Sequence, residues 1–136
     1  MYDQHLDRNT FFGFTLVELM VVVIIISILT AIAVPTYTNT REKAIDKEAI
    51  SALKLVRAAN KQYFAKYDHY FPLQGTITSL SSINNNLSLD LNNASWSYSI
   101  QGVNFGKAFT ANAGRSNRKW KVTQGSADPN CFGTCL

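Results

Sequence analysis

The sequence predicts an α+β fold in which a long N-terminal α-helix packs on a small three-stranded antiparallel sheet. Residues 14–34 form an apolar run with a single charged residue, Glu18. Residues 36–67 continue with apolar side chains at helical spacing, and residues 95–124 alternate between apolar and polar side chains as strands do. The predicted helix therefore has an apolar, membrane-type first half and an amphipathic second half.

The apolar run is long enough to cross a bilayer. Its 21 residues, at about 1.5 Å each, span the roughly 30 Å of a hydrocarbon core. Glu18 is the exception, because a carboxylate near the bilayer centre costs about 2.5 kcal/mol or more. One interpretation is that Glu18, one turn into the run, reaches up to the lipid headgroups. The other is that it pairs with a positive group of a second copy, such as the α-amine that cleavage after Gly13 would create on Phe14.

The junction GFTLVE at residues 13–18, followed by an apolar helix, resembles the class III signal of type IV pilins and type II secretion pseudopilins. The resemblance implies cleavage after Gly13 by a prepilin peptidase, methylation of the Phe14 amine, and assembly into a helical filament through packed N-terminal helices. It also implies that Glu18 registers a neighbouring subunit. Pro35 matches the helix-breaking proline seen in many members.

The resemblance divides the chain into five parts. These are a leader peptide (1–13), a transmembrane or filament-core helix (14–35), an amphipathic helix of the head (36–67), a helix-to-sheet loop (68–94), and a sheet with a C-terminal cysteine loop (95–136). The leader departs from the usual basic pattern, since Asp3 and Asp7 stand against Arg8. The implied precursor is a single-pass inner-membrane protein with its head outside the cytoplasm, which later enters a pilus or a periplasmic pseudopilus. Its implied partners are the membrane, other copies in a homo-oligomeric filament, the prepilin peptidase and methyltransferase, and the inner-membrane assembly machinery.

A rival targeting interpretation rests on residues 31–33, which read Ala-Ile-Ala. This A-x-A pattern after an apolar stretch is typical of a Sec signal peptide, and cleavage there would release a soluble protein beginning at Val34. Against it, the apolar run is longer than the 7 to 15 residues expected, Glu18 interrupts it, and the segment before it is poorly basic.

The amphipathic half predicts one helix lying against a partner surface. Its apolar stripe comprises Ile45, Ala49, Ala52, Val56, Ala59 and Tyr63, widened by Ile50, Leu53 and Phe64. Most of the charged residues, Asp46 among them, are expected on the other face. Pro35 is expected to kink the helix, with Ser27 and Thr30 bonding to backbone carbonyls nearby, or else to begin a separate helix.

The helix is expected to stop near Tyr67, ahead of Pro72. Residues 75–94, rich in Ser and Asn, predict a long loop with a helical turn near residues 79–83. The three strands are expected over residues 96–100, 105–113 and 118–124. Their turns are expected at Gly102 and Asn104, and at residues 114–117. An aromatic cluster, comprising Tyr63, Phe64, Tyr67, Tyr70 and Phe71, is expected to form core under the head.

No catalytic constellation is visible, so we predict that the chain is not an enzyme and binds no cofactor or metal. The two histidines, His5 and His69, are isolated, and the glycines form no phosphate-binding loop. Cys131 and Cys135 form a C-x3-C pair, for which the resemblance implies a small disulfide; free thiols are the alternative. Export would place both cysteines in an oxidising compartment.

The charge pattern leaves one further hypothesis open. The formal net charge is +4, and removing a leader with two acids and one arginine raises the side-chain charge to +5. Arg115, Arg118, Lys119 and Lys121, interleaved with Trp120, would suit DNA, or would simply be a solvated edge strand that resists edge pairing. We predict a structural subunit of a type IV pilus, with a pseudopilin of a type II secretion or DNA-uptake system as the alternative.

Overall fold

The computed structural model describes residues 13–134, and it confirms the α+β class. In chain order the elements are α1 (Leu16–Tyr67), β1 (Gly75–Ile77), α2 (Leu80–Leu87), β2 (Ser97–Val103), β3 (Ala108–Arg115), β4 (Arg118–Thr123) and β5 (Asn130–Cys131). The strands form one antiparallel sheet in the order β1-β2-β3-β4-β5. The chain divides into two compact units, one ending at Asn39 and one beginning at Thr40, and we call the second unit the head.

Helix α1 runs without interruption for 52 residues and includes Pro35 in its interior. Polar side chains in its apolar half are satisfied within the helix, as predicted. The Ser27 hydroxyl donates to the Val23 carbonyl at 2.7 Å, and the Thr30 hydroxyl donates to the carbonyl of Ile26. The helix ends at Tyr67, as predicted.

The core of the head lies between one face of α1 and the inner face of the sheet. The buried apolar residues are Ala49, Leu53, Val56 and Ala59 of α1, Ile83, Leu87 and Leu91 around α2, and Trp96, Tyr98, Ile100, Phe109, Ala111, Ala113 and Val122 of the sheet region. The Trp96 indole N–H donates to the Ile45 carbonyl at 2.9 Å, so this large ring is buried with its polar atom satisfied. Burial raises the pKa of Tyr98 to about 12. The predicted stripe and strand alternation are confirmed at these positions.

Two asparagines fix the irregular segments of the head by the same device. Asn60 is fully buried, and its side chain donates to the Phe71 carbonyl at 2.7 Å and accepts from the Phe71 N–H at 2.8 Å. Asn84 bonds in the same way to both backbone groups of Leu91, at 2.9 and 3.0 Å. Each side-chain amide therefore supplies hydrogen-bond partners to backbone groups that have none within a helix or strand.

Three strands were predicted, and the described residues form a sheet of five. Both additional strands, β1 and β5, lie at the edges of the sheet and are only three and two residues long. They are too short to show alternation, and pairing with longer neighbours defines them. The helical turn expected near residues 79–83 is the start of α2, which Ser79 caps by accepting from the Ser82 N–H.

The predicted first turn was also misplaced. Gly102 lies within β2, where a Cβ would collide with the Pro72 carbonyl oxygen, so the glycine serves a close backbone approach. The turn instead comprises residues 104–107. Phe105, predicted to begin the next strand, lies in this turn and is 71% exposed. Gly114, predicted in the second turn, lies in β3, and Ser116 at φ 51° helps to make that turn.

Candidate functional site

The apolar half of α1 has no partner within the described part of the chain. Every side chain from residue 13 to residue 41 is exposed, and Phe14 is 77% exposed. Among the described residues, α1 is the one helix long and apolar enough to cross a membrane, with a mean hydropathy of 2.9 in its apolar window and none of that window buried. So large an exposed apolar surface needs lipid or other protein to cover it.

A hydrogen-bonded cap begins this helix. The Glu18 carboxylate accepts from the Thr15 N–H at 2.9 Å and from the Thr15 hydroxyl at 2.7 Å, while the Thr15 hydroxyl oxygen accepts from the Glu18 N–H at 3.2 Å. This reciprocal arrangement is a capping box, in which the side chains three residues apart satisfy each other's backbone donors. The T-x-x-E spacing of residues 15–18 is a local signal for this cap, although the role of Thr15 was not predicted from it.

The structure brings three predicted site residues together at one end of α1. Gly13 and Phe14 directly precede the cap, and Glu18 closes it. A Cβ at Gly13 would meet nothing within 4 Å, so this position is open. Pro35 lies well inside the same helix. The rest of the predicted leader lies outside the described residues.

The comparison with known proteins addresses this same segment. The family described as the prokaryotic N-terminal methylation motif matches residues 8–34, which include the junction, the cap and the apolar run. In this N-terminal segment the chain is similar to type IV pilins and pseudopilins. Pilins and pseudopilins are structural proteins, and residues 8–34 are the part of this chain that carries the motif.

Three curated relatives show the same similarity. The chain is 45% identical over 58 residues to the type IV major pilin protein PilA of Myxococcus xanthus, covering 43% of this chain and 26% of the relative. It is 43% identical over 56 residues to the competence protein ComGC of Halalkalibacterium halodurans, covering 41% and 55%. It is 38% identical over 58 residues to the type II secretion system core protein G of Escherichia coli, covering 43% and 40%.

The matches cover between a quarter and somewhat over half of these relatives. In each of these comparisons more than half of this chain lies outside the matched residues. No solved structure matches this chain.

A cluster of ion pairs connects the ends of β3 and β4 to α1. We call its four residues, Glu42, Asp46, Arg115 and Arg118, the ion cluster. Arg118 bonds to Glu42 at 2.7 Å and to Asp46 at 3.3 Å, and Arg115 bonds to Glu42 at 2.9 Å. Asp46, expected on the solvent face, is instead only 4% exposed, so that expectation was wrong. Burial is tolerated because Arg118 lies beside the carboxylate.

These contacts bear on the DNA hypothesis. Two of the four basic residues on which it rested, Arg115 and Arg118, are held in ion pairs with carboxylates. Trp120 packs against the core side of the sheet, whereas the Lys121 ammonium lies 5.4 Å from the centre of the Phe132 ring. The aromatic ring and the lysines are therefore on opposite faces, as the strand alternation predicted. The structure does not bring this set together as one surface.

The remaining predicted site residues are less fully described. Cys131 lies in β5 and is disulfide-bonded. Cys135 lies outside the described residues, so its pairing with Cys131 stays a prediction. In the described range no group of three or more His, Cys, Asp or Glu side chains is placed to hold a metal ion.

Because the ion cluster needs ionised carboxylates, we expect the head to lose stability in acid. The hydrogen bond from Arg115 is the largest cause that lowers the pKa of Glu42 below its ordinary 4.5. A carboxyl whose pKa is lower in the folded chain than in the unfolded chain stabilises the fold. This stability is fully present at pH values above the unfolded-state pKa, and it is lost as the pH falls through the folded-state pKa. We expect the melting temperature to fall as pH drops below about 4.5, and to fall less steeply in Arg115→Gln. Equal slopes in both proteins would show that this pair contributes nothing.

Proposed function

We propose that this chain is a prepilin, a structural subunit without enzymatic activity. It is cleaved after Gly13, methylated on the Phe14 amine, and assembled into a helical filament through its apolar helix. Glu18 of one subunit neutralises the Phe14 amine of a neighbour. Before assembly the apolar half of α1 holds the chain in the inner membrane, with the head outside the cytoplasm.

One observation carries the proposal: the junction, the cap and a fully exposed apolar helix follow one another without interruption. A carboxylate at the start of an apolar helix is costly in lipid unless something pairs with it. Thr15 supplies hydrogen bonds to Glu18 but no charge. A positive group one turn away is what the site still needs, and cleavage after Gly13 would produce one on Phe14.

Assembly covers the surface that the structure leaves exposed. Packing between neighbouring apolar helices removes the same side chains from lipid or water, and the proposed pairing satisfies Glu18 in the same step. Filament formation thus accounts for both unusual features of the segment. A secreted protein released at Val34 would discard both of them.

A pilus is our first choice for the filament, and a secretion or DNA-uptake pseudopilus is the second. The second has support in the relatives, because ComGC is named as a competence protein and protein G as a secretion system protein. The pilus interpretation rests on the Ser- and Asn-rich loop and the cysteine pair of the head.

Deletion of the gene separates the two systems. We expect surface filaments, scored by electron microscopy, to disappear on deletion and to return with the wild-type chain, while protein secretion and DNA uptake stay unchanged. If secretion or uptake is lost and the parent cells carry no dependent surface filaments, the chain is a pseudopilin.

A further inference from the structure

One flank of α1 and the loop between α2 and β2 enclose a small cleft of about 240 Å³. Two carboxylates line it, Glu48 from α1 and Asp90 from the loop, and none of the described residues that line it is basic. Leu55, 51% exposed, forms an apolar wall beside them. We call this site the acidic cleft. It is smaller than the range of about 300 to 1,000 Å³ typical of small-molecule pockets, so its size suits a single side chain.

The floor of the acidic cleft is the side chain of Tyr98. This residue is 7% exposed and belongs to the core, and its hydroxyl end reaches the cleft. Burial, and after it the negative charge of Glu48, raises the pKa of Tyr98 to about 12, so the hydroxyl keeps its proton. Within the described part of the chain this hydroxyl makes no hydrogen bond. It is therefore a hydrogen-bonding position that a bound group can fill.

The two carboxylates of the cleft also lack partners in their own head. Residues 40–136 contain six acidic side chains, and three of them form ion pairs with basic side chains. Among the described residues the other three, Glu48, Asp68 and Asp90, have no ion-pair partner. Two of these three line one cleft, although basic side chains outnumber acidic ones in the head by twelve to six. The cleft is thus complementary to a positive group from another molecule.

A lysine side chain matches each part of the acidic cleft. Its ammonium has three donors and no acceptor, so it can donate to both carboxylates and to the Tyr98 hydroxyl oxygen together. Its aliphatic stem can pack along Leu55 while the charged end reaches the carboxylates. A small inorganic cation would use the carboxylates but leave the apolar wall without a contact.

A neighbouring copy of this chain is the source that electrostatics favours in a filament. Each head has twice as many basic as acidic side chains, so identical heads side by side repel unless acids of one meet bases of the next. Lys121 of β4 lies on the outer face of the sheet, with its ammonium 5.4 Å from the centre of the Phe132 ring. The acidic cleft lies on the inner side, where α1 packs. The sheet therefore separates Lys121 from the cleft of its own chain.

We propose that the acidic cleft of one copy binds the ammonium of Lys121 from a neighbouring copy. The inference rests on the proposed function, since it gives the heads of an assembled filament a specific contact. Because the cleft and the lysine belong to different patches, the contact is heterologous and repeats from subunit to subunit. Charge complementarity of this kind fixes the register of neighbouring heads more than it adds affinity.

Carbodiimide cross-linking of the full chain, in membranes and in sheared filaments, tests this contact directly. The reagent joins a carboxylate to a touching amine as an amide, with net loss of water and no spacer. We expect a dimer-sized adduct on a denaturing gel, in which mass spectrometry finds Glu48 or Asp90 linked to Lys121. The absence of a dimer, dimers linked only through other residues, or adducts to a different protein would overturn the proposal.

A matched pair of asparagine variants supplies the control. Asp90→Asn removes one charge of the cleft and should lower the yield of the Glu48 to Lys121 adduct about threefold. Asp68→Asn removes a carboxylate that also lacks an ion-pair partner but lies outside the cleft, and its φ of 59° suits asparagine. We expect this variant to leave the yield unchanged. Equal yields in both variants would contradict the binding site.

Tyr98→Phe separates binding from a structural role. The substitution removes only a hydroxyl without a partner in the described part of the head, so the melting temperature should stay level or rise. The adduct yield should fall about tenfold, as expected for losing a hydrogen bond to a charged group. A lower melting temperature, or an unchanged yield, would show that the hydroxyl does not serve the cleft.

Electron microscopy scores filaments separately from adducts. Adducts between Lys121 and the acidic cleft in cells without filaments would overturn the proposed function. Filaments without these adducts would overturn only the contact.

Discussion

Replacing Glu18 by glutamine should abolish filament assembly while leaving the helix cap intact. Glutamine can serve in a capping box, because its amide oxygen still accepts hydrogen bonds. It carries no charge, so the proposed Phe14 amine of a neighbour would be left alone in an apolar filament core. Breaking a buried ion pair in this way costs about 3 to 5 kcal/mol, which weakens association by more than about a hundredfold.

Two companion variants identify the cause. Glu18→Ala removes both charge and cap and should fail as Glu18→Gln does. Thr15→Val removes the hydroxyl of the cap but keeps the charge, and a lost cap costs only about 1 kcal/mol. We therefore expect Thr15→Val to assemble, with filament yield measured by shearing and sedimentation. Normal filaments from Glu18→Gln alongside failure of Glu18→Ala would show that the carboxylate acts as a cap and not as a charge partner.

Arg118→Ala should strongly destabilise the head, because it removes the partner of a buried carboxylate. Its side chain is 16% exposed and lies beside the Asp46 carboxylate, which is 6% exposed, so the substitution leaves a buried charge without its partner. The expected loss is about 3 to 5 kcal/mol, or a fall in melting temperature of more than about 10 °C for a unit of this size. Tryptophan fluorescence of the full chain in detergent reports this unfolding, because Trp96 is in the core.

Lys54→Ala is the matched control. Lys54 pairs with Asp128 at 2.7 Å, but the two side chains are 51% and 78% exposed. Exposed ion pairs contribute at most about 1 kcal/mol, since water screens them and the long side chains lose entropy. We expect a shift of a few degrees at most. Comparable losses in both variants would show that burial of the ion cluster has no special effect.

The helix of this protein is predictable from sequence because its signals are local and long. The apolar run, the stripe through Leu53 and Val56, and the stop at Tyr67 each follow from residues close in the chain. The capping box is equally local, and the spacing of Thr15 and Glu18 was sufficient to predict it.

The parts that sequence did not predict depend on residues that are distant in the chain. The sequence predicts that Asp46 lies on the solvent face, but the fold brings Arg118, 72 residues away in the chain, beside it. The sequence predicts that Gly102 is a turn residue, whereas in the fold the Pro72 carbonyl occupies the space that a Cβ at this position would need. Strands of two or three residues, such as β5, carry no periodic signal and exist because a neighbour pairs with them.

The mature N-terminus tests the central claim most directly. Intact-mass and peptide mass spectrometry of the chain from membranes or sheared filaments should find N-methylated Phe14 as the first residue, with residues 1–13 absent. In Gly13→Leu, a position where the side chain meets open space, the leader should stay attached. An N-terminus at Val34 would establish a secreted protein, and an unmodified Met1 in mature filaments would contradict the proposed processing altogether.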